Sequence, residues 1–374
     1  MEYETDLKFL YDKLSLHPLF VDDPSKFISF KKLYNNIRTE KINSYNQFIS
    51  FANILTCFFC DGHTNVEIPY TERDKCLILP CYWSGDKLFI ASDYKDVKIN
   101  SEIVAIENKT VKEIIQLMSN KIPHENIYLV KSRMINYPYK NYHVFSELNI
   151  KSLFHNKNEI EITFLSDQQI IKQTANLSEY NNYLDFKDTK DFIFYEIEND
   201  TAILHLTACI YNEKYKSVLN TLANLCEQEK IKTLVLDLSE NMGGNSAVIE
   251  EFIKYVDIEK FKRYEMIDYT KQPPAHLTDR NNIIINYKNE KCFPKNIFCK
   301  VSYDTFSSAR TFAVTLKDNG IAKIIGVPTG GKPNSYGMPQ KYKMPNSNIN
   351  FRVSRCLFLR PDISHDDDIS LFPD

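Results

Sequence analysis

From about residue 190 the chain changes hydrophobic period again and again, and this alternation limits the folds open to it. FIFYEIE (192–198) and TAILHLTA (201–208) are short, apolar and turn-bounded, as strands are. NEKYKSVLNTLANLCEQEK (212–230) has apolar residues at three-to-four spacing and predicts an amphipathic helix. KTLVLDLS (232–239) is nearly continuous in its apolar residues, the pattern of a strand buried on both faces. AVIEEFIKYV, IFCKVSY, SARTFAVTLKDN and AKIIGV continue the series as helix, strand, helix and strand. Alternation of this kind predicts an α/β unit, a parallel or mixed sheet layered by helices.

The preceding residues divide in two. Residues 1–65 predict an N-terminal helical region, in which FKKLYNNI and YNQFISFANILTCFFC place apolar residues along one face. Asp61-Gly62 stops the second run, and His63-Thr64 follows at once. Residues 66–178 predict a small mixed domain. CLILPCYW, KLFIAS, EIEITFL and QIIKQTA are strands, and SEIVAIENKTV leads through a turn at Glu107-Asn108-Lys109 into a helix from about Val111. NLSEYNNYLDFKDTKD (176–191) has the composition of a linker.

Composition excludes several functions. A formal charge of −3 offers no basic field for nucleic acid. No run of about 18 apolar residues is present to cross a bilayer. The acidic, amphipathic start, MEYETDLKFLYDKL, is unlike a signal peptide, so a cytoplasmic setting is expected unless a leader has been removed. The nine cysteines are odd in number and scattered, as reduced, buried cysteines are. Cys57-x-x-Cys60 has no second pair to complete a zinc site, and neither metal nor cofactor is expected.

Glycine carries the chemical information. The chain has nine, and seven fall between Gly243 and Gly337. Three segments there bear on function. In TLVLDLSENMGGNSAVIEEF a buried strand ends at Gly243-Gly244, where backbone N–H groups can face a developing oxyanion. In VSYDTFSSARTFAVTLKDNG, Ser307 and Ser308 stand where a helix begins; such a serine is most often an N-cap, and the same place can present a nucleophile. In IIGVPTGGKPNSYG, Gly326 to Lys332 fits the spacing of a phosphate-binding loop, but Pro333 stands where that loop needs Ser or Thr.

Taken in order, these segments resemble the catalytic domain of the C-terminal processing protease and tricorn-core family of serine peptidases. The family's D-L-R-x-N-x-G-G is similar to Asp237-Leu238-Ser239-Glu240-Asn241-Met242-Gly243-Gly244, with Ser239 in place of Arg. Its T-x-S-[AS] and K-D-N-G are similar to Thr305-Phe306-Ser307-Ser308 and Lys317-Asp318-Asn319-Gly320. Its I-G-E-x-T-x-G is similar to Ile325-Gly326-Val327-Pro328-Thr329-Gly330, with Val327 in place of Glu. The resemblance implies a ClpP/crotonase-like domain over 190–374 and a PDZ-like middle domain, although Ser101 and Lys109 occupy that module's usual glycine positions. It also implies a peptide or unfolded-protein substrate, cleaved through an acyl-enzyme on Ser307.

The resemblance leaves two bases for that serine. The processing proteases use a lysine 25 residues on, which is Lys332 here. The tricorn-like branch uses a histidine, and Asp61-Gly62-His63-Thr64 is similar to its D-G-H-T, so His63 is the preferred base. The family's orienting acid, counted back from the terminal P-D, falls at Asp367 within Asp366-Asp367-Asp368. The implied oxyanion donors are the N–H groups of Gly244 and Ser308. The alternative is a peptide-binding scaffold of the same fold that lacks turnover.

Overall fold

The computed structural model describes residues 2–67, 75–139, 142–145, 158–179 and 191–374, so most of the expected linker lies outside the described residues. The chain forms two compact units. The first comprises Met1–Glu67, Pro123–Leu129 and Asp191–Asp374, and the second Ile68–Ile122 and Val130–Lys190. The N-terminal helices thus belong to the same unit as the α/β region. Residues 123–129 also return to it from the middle of the chain.

The first unit is built on a five-stranded sheet. Ile193–Glu198 pairs antiparallel with Thr201–Leu206, and Thr233–Asp237, Asn296–Val301 and Lys323–Gly326 then follow in parallel. Leu204, Leu206, Leu234, Leu236, Cys299 and Val301 are buried. Each large aliphatic side chain so buried stabilises the fold by about 1.5–3 kcal/mol. The helices Glu213–Gln228 and Ser308–Asp318 turn buried stripes onto the sheet, with Leu219, Leu222 and Ala223 on one and Phe312, Ala313 and Leu316 on the other. Parallel strands place all their C-terminal ends on one edge, the usual seat of a site in α/β sheets. Asp237, Val301 and Gly326 end the three strands there, within one residue of register, and each leads into one of the glycine- or serine-bearing segments.

Before this sheet come the helices Glu2–Leu14, Leu19–Asp22, Ser25–Arg38 and Tyr45–Cys57. The last starts at Ser44, whose hydroxyl accepts from the Gln47 N–H, and buries Phe48, Phe51, Ala52 and Leu55. After it the strand Asn65–Glu67 pairs antiparallel with Asn350–Val353, which fixes the D-G-H-T segment to a distant part of the chain.

Four strands were not evident in the sequence: Lys260–Lys262, Glu265–Asp268, Ala275–Thr278 and Ile283–Ile285. They are three or four residues long, too short to impose a period-two pattern. Glu265–Asp268 joins Ala275–Thr278, Cys356–Leu359 and Ser335–Gly337 in an antiparallel sheet.

The second unit combines helices with antiparallel sheet. Its antiparallel sheet runs Gln169–Asn176, Glu159–Ser166, Glu102–Ile106, Lys87–Ile90, Cys81–Ser84. The turn after Ile106 has Glu107 at φ +55°, and the helix Val111–Ser119 begins with a capping box between Thr110 and Glu113. Among the described residues no helix is long and apolar enough to cross a membrane.

Candidate active site

Ser307 ends the turn after Asn296–Val301 in a conformation few residues adopt, φ +52° and ψ −127°. Such a backbone costs about 1–3 kcal/mol and persists only where the surroundings impose it. Here they do. Thr305 Oγ1 donates to Leu238 O (2.8 Å) and accepts from the Ser302 N–H (2.9 Å), and the Phe306 N–H donates to Asn241 O (3.1 Å). The helix Ser308–Asp318 starts on Ser307, whose carbonyl accepts from the Thr311 N–H, yet its hydroxyl makes no cap hydrogen bond. Oγ lies instead 3.0 Å from His63 Nε2. The positive end of the helix dipole lies beside it.

His63 is held from two sides. Its ring stacks on Phe306, with centroids 4.6 Å apart. Its N–H donates to Asp61 Oδ1 (2.9 Å), closing an Asx turn. Asp61 is itself fully buried, and its Oδ2 accepts from His17 Nε2 (3.1 Å), Thr64 Oγ1 (2.6 Å) and Ser354 Oγ (2.6 Å). Burial opposes its ionisation, but the hydrogen bonds and charge of His17 and His63 outweigh burial and hold the carboxyl well below its usual range. Asp61 is therefore a fixed anion at the root of the histidine loop.

The Gly-Gly turn packs against the serine. Gly243 has φ +104°, and a Cβ there would meet Ser307 Cβ at 2.7 Å; Gly244 has φ +140°, and its Cβ would meet Cys209 O at 2.3 Å. Neither position admits a side chain. Asn241 fixes the turn, with Nδ2 donating to Leu206 O and Oδ1 accepting from the Gly243 N–H. Ser308 Oγ donates to Gly244 O (2.8 Å), tying the turn to the helix start. At position 239 the serine caps the strand end by donating to Asp237 Oδ1.

A cavity of about 420 Å³ opens beside Ser307 and His63. Ile249, Phe261, Tyr264, Met266 and Phe358 give it apolar walls, and two of these, Phe261 and Met266, come from the strands the sequence hid.

Asp367 makes no ion pair with His63, whose acidic neighbours are other residues. It is exposed, while its neighbours anchor the terminal turn: Asp366 pairs with Arg280, and Asp368 with the buried Arg360. Counting back from the chain end placed an acid in a run of three whose outer members have structural partners. The carboxylates facing His63 Nδ1 are Asp61 Oδ1 at 3.5 Å and Glu125 Oε1 at 4.0 Å. Glu125 carried no signal in the sequence, being one acid in IPHENIYL; only the return of residues 123–129 to the first unit brings it in. Lys332 is exposed, and a lysine base needs burial to give up its proton. Ligand atoms of Asp61, His63 and Glu125 lie within 4.8 Å of one another, close enough to gather round a cation. The oxygens of Asp61 are already committed to donors, and that competes with metal ligation.

Residues 200–363 match the sequence model of peptidase family S41. The chain carries an S41 peptidase domain. It is a serine peptidase, and its substrates are peptides or proteins. Solved structures share the fold of this chain. The photosystem II D1 C-terminal processing protease is similar at 12% identity and a TM-score of 0.50, with 100% of this chain and 92% of that one covered. Mature CPAF complexed with lactacystin is similar at 13% identity and a TM-score of 0.66, with the same coverage of 100% and 92%. At these identities the likeness is one of fold. No curated protein sequence matches the chain.

Proposed function

We propose that the S41 domain hydrolyses peptide bonds through an acyl-enzyme, with Ser307 as nucleophile and His63 as general base. The observation that carries this reading is the 3.0 Å approach of His63 Nε2 to a serine hydroxyl that a helix start leaves uncapped. His63 Nε2 takes the proton as Oγ attacks the carbonyl carbon. The carbonyl oxygen becomes an oxyanion facing the N–H groups of Gly244 and Ser308. His63 then gives the proton to the leaving amine, and a water, deprotonated by the same nitrogen, releases the acid and restores Ser307. The apolar cavity beside Ser307 suits a peptide with a large apolar side chain next to the scissile bond.

The test is fluorophosphonate labelling and cleavage of unfolded casein by the wild type and by Ser307→Ala, His63→Ala and Lys332→Ala. The first two variants should lose both activities and the third should keep them. Loss in Lys332→Ala with retention in His63→Ala would assign the base to lysine. A wild type that neither labels nor cleaves would make the chain a peptide-binding scaffold.

A further inference from the structure

Two motif glycines that flank the site both lie against one side chain. A Cβ on Gly62, in D-G-H-T, would meet Leu129 Cδ2 at 2.5 Å and Phe306 Cζ at 3.0 Å, and would lie 3.1 Å from Glu125 Oε2. A Cβ on Gly331, in the T-G-G loop, would lie 3.2 Å from the same oxygen and 2.5 Å from Arg310 Nη1. Two segments nearly 270 positions apart in the chain thus converge on the Glu125 carboxylate. That carboxylate is only 4% exposed, and neither oxygen has a hydrogen-bond partner. His63 Nδ1, facing it at 4.0 Å, has none either. Unpartnered buried polar atoms are costly, and a pair of them aimed at one another calls for an explanation.

We infer that Glu125 is the positioning carboxylate of the site: it accepts the Nδ1 proton of His63, so that Nε2 faces Ser307 unprotonated, and it stabilises the imidazolium that forms as Oγ attacks. The inference rests on the Ser307–His63 reading above. One bridging water or a small torsion of the Glu125 side chain closes a gap of 4.0 Å, and catalytic hydrogen bonds are often long in the free enzyme. Asp61 cannot serve as well. Its Oδ1 stands 3.5 Å from Nδ1, already accepts the His63 N–H, and Oδ2 accepts three other donors.

The surroundings suit the role. Asn126 pins the segment: Nδ2 donates to Ile369 O (2.8 Å) and Thr329 O (3.3 Å), and Oδ1 accepts from the N–H groups of Leu129 and Gly331. Burial and then the Asp61 charge raise the Glu125 carboxyl above its usual range, while Arg310 and His63 pull it back towards the ionised form. Arg310 is 2% exposed, donates from Nη2 to Ser335 Oγ, and leaves Nε and Nη1 unpartnered. The T-G-G loop, with the spacing of a phosphate-binding loop, thus houses this carboxylate and guanidinium.

The test is the second-order rate of fluorophosphonate labelling from pH 5 to 9 for the full chain, wild type beside Glu125→Gln, Glu125→Asp and Gly331→Ala. Glu125→Gln should slow labelling by about 10²–10⁴-fold, the range expected when an orienting carboxylate is lost. Its acid limb should move to lower pH, because the anion that favours imidazolium is gone while Asp61 and Arg310 remain. Its melting temperature should hold or rise, since an unpaired buried carboxyl is removed. Glu125→Asp should recover part of the rate, and Gly331→Ala should slow labelling by displacing Arg310 and Phe306 and crowding the carboxylate. Labelling by Glu125→Gln within about twofold of wild type overturns the inference, as does a slowed rate with an unmoved acid limb. Full labelling by His63→Ala would instead bring down the reading beneath it.

Discussion

Asp61→Asn tests whether the histidine loop is held by a buried anion. The amide must turn its NH2 towards donors whichever way it lies. Its less damaging pose sets NH2 against the His63 N–H and leaves the oxygen for His17, Thr64 and Ser354. One buried donor then goes unpaired, at about 1–3 kcal/mol, and three charge-assisted bonds become neutral, at about 1 kcal/mol each. The total, about 4–6 kcal/mol, is a large part of a typical stability of about 5–15 kcal/mol. The pH dependence has a definite sign. The folded-state pKa of Asp61 is depressed, so its contribution is full above the unfolded value of about 3.9 and is lost as pH falls towards the folded value. The gap between wild type and variant should narrow below about pH 4. Urea unfolding should be followed by far-ultraviolet circular dichroism, because the chain's one tryptophan, Trp83, belongs to the second unit and would report on that unit. A gap under about 1 kcal/mol at pH 7, or one that does not close in acid, would refute the reasoning.

Further expectations follow from single residues. Ser307→Gly and Ser307→Ala both remove the hydroxyl, but only glycine relieves φ +52°; after the extra unfolded-state entropy of glycine, Ser307→Gly should be more stable than Ser307→Ala by about 0.5–2 kcal/mol, and the reverse order in thermal melts would remove the case for strain. Arg360 is buried and bonded to both oxygens of Asp318, so Arg360→Ala should cost about 3–5 kcal/mol in calorimetry, and a loss below about 1 kcal/mol would count the pair as idle. Thr110→Ala breaks the capping box in the second unit and should cost about 1 kcal/mol, visible as a lower unfolding midpoint by Trp83 fluorescence.

The legible parts of this protein are those whose constraints are local. The buried strand before Asp237, the Gly-Gly turn and the serine at a helix start each lie within one short stretch, and each needs particular residues for backbone reasons. The same logic makes Gly243 and Gly244 readable, since no side chain fits there. Glu125 was not readable because it acts through position alone, and position comes from a segment that rejoins the first unit between two halves of the second. The misplaced Asp367 has the opposite cause: it lay in a conspicuous acidic run, and Arg280 and Arg360 hold the members on either side of it. The short strands between residues 260 and 285 escaped because three or four residues are too few to carry a period, although Phe261, Met266 and Thr278 line the cavity.

The path of residues 123–129 has a consequence for dissection. The chain passes between its two units at 67/68, 122/123, 129/130 and 190/191, four crossings in all. Excising 68–190 as a cassette would take Glu125 and Asn126 with it, and a homologous module grafted in their place would have to bring its own carboxylate. In this molecule the boundary between the two units does not coincide with any single cut in the polypeptide.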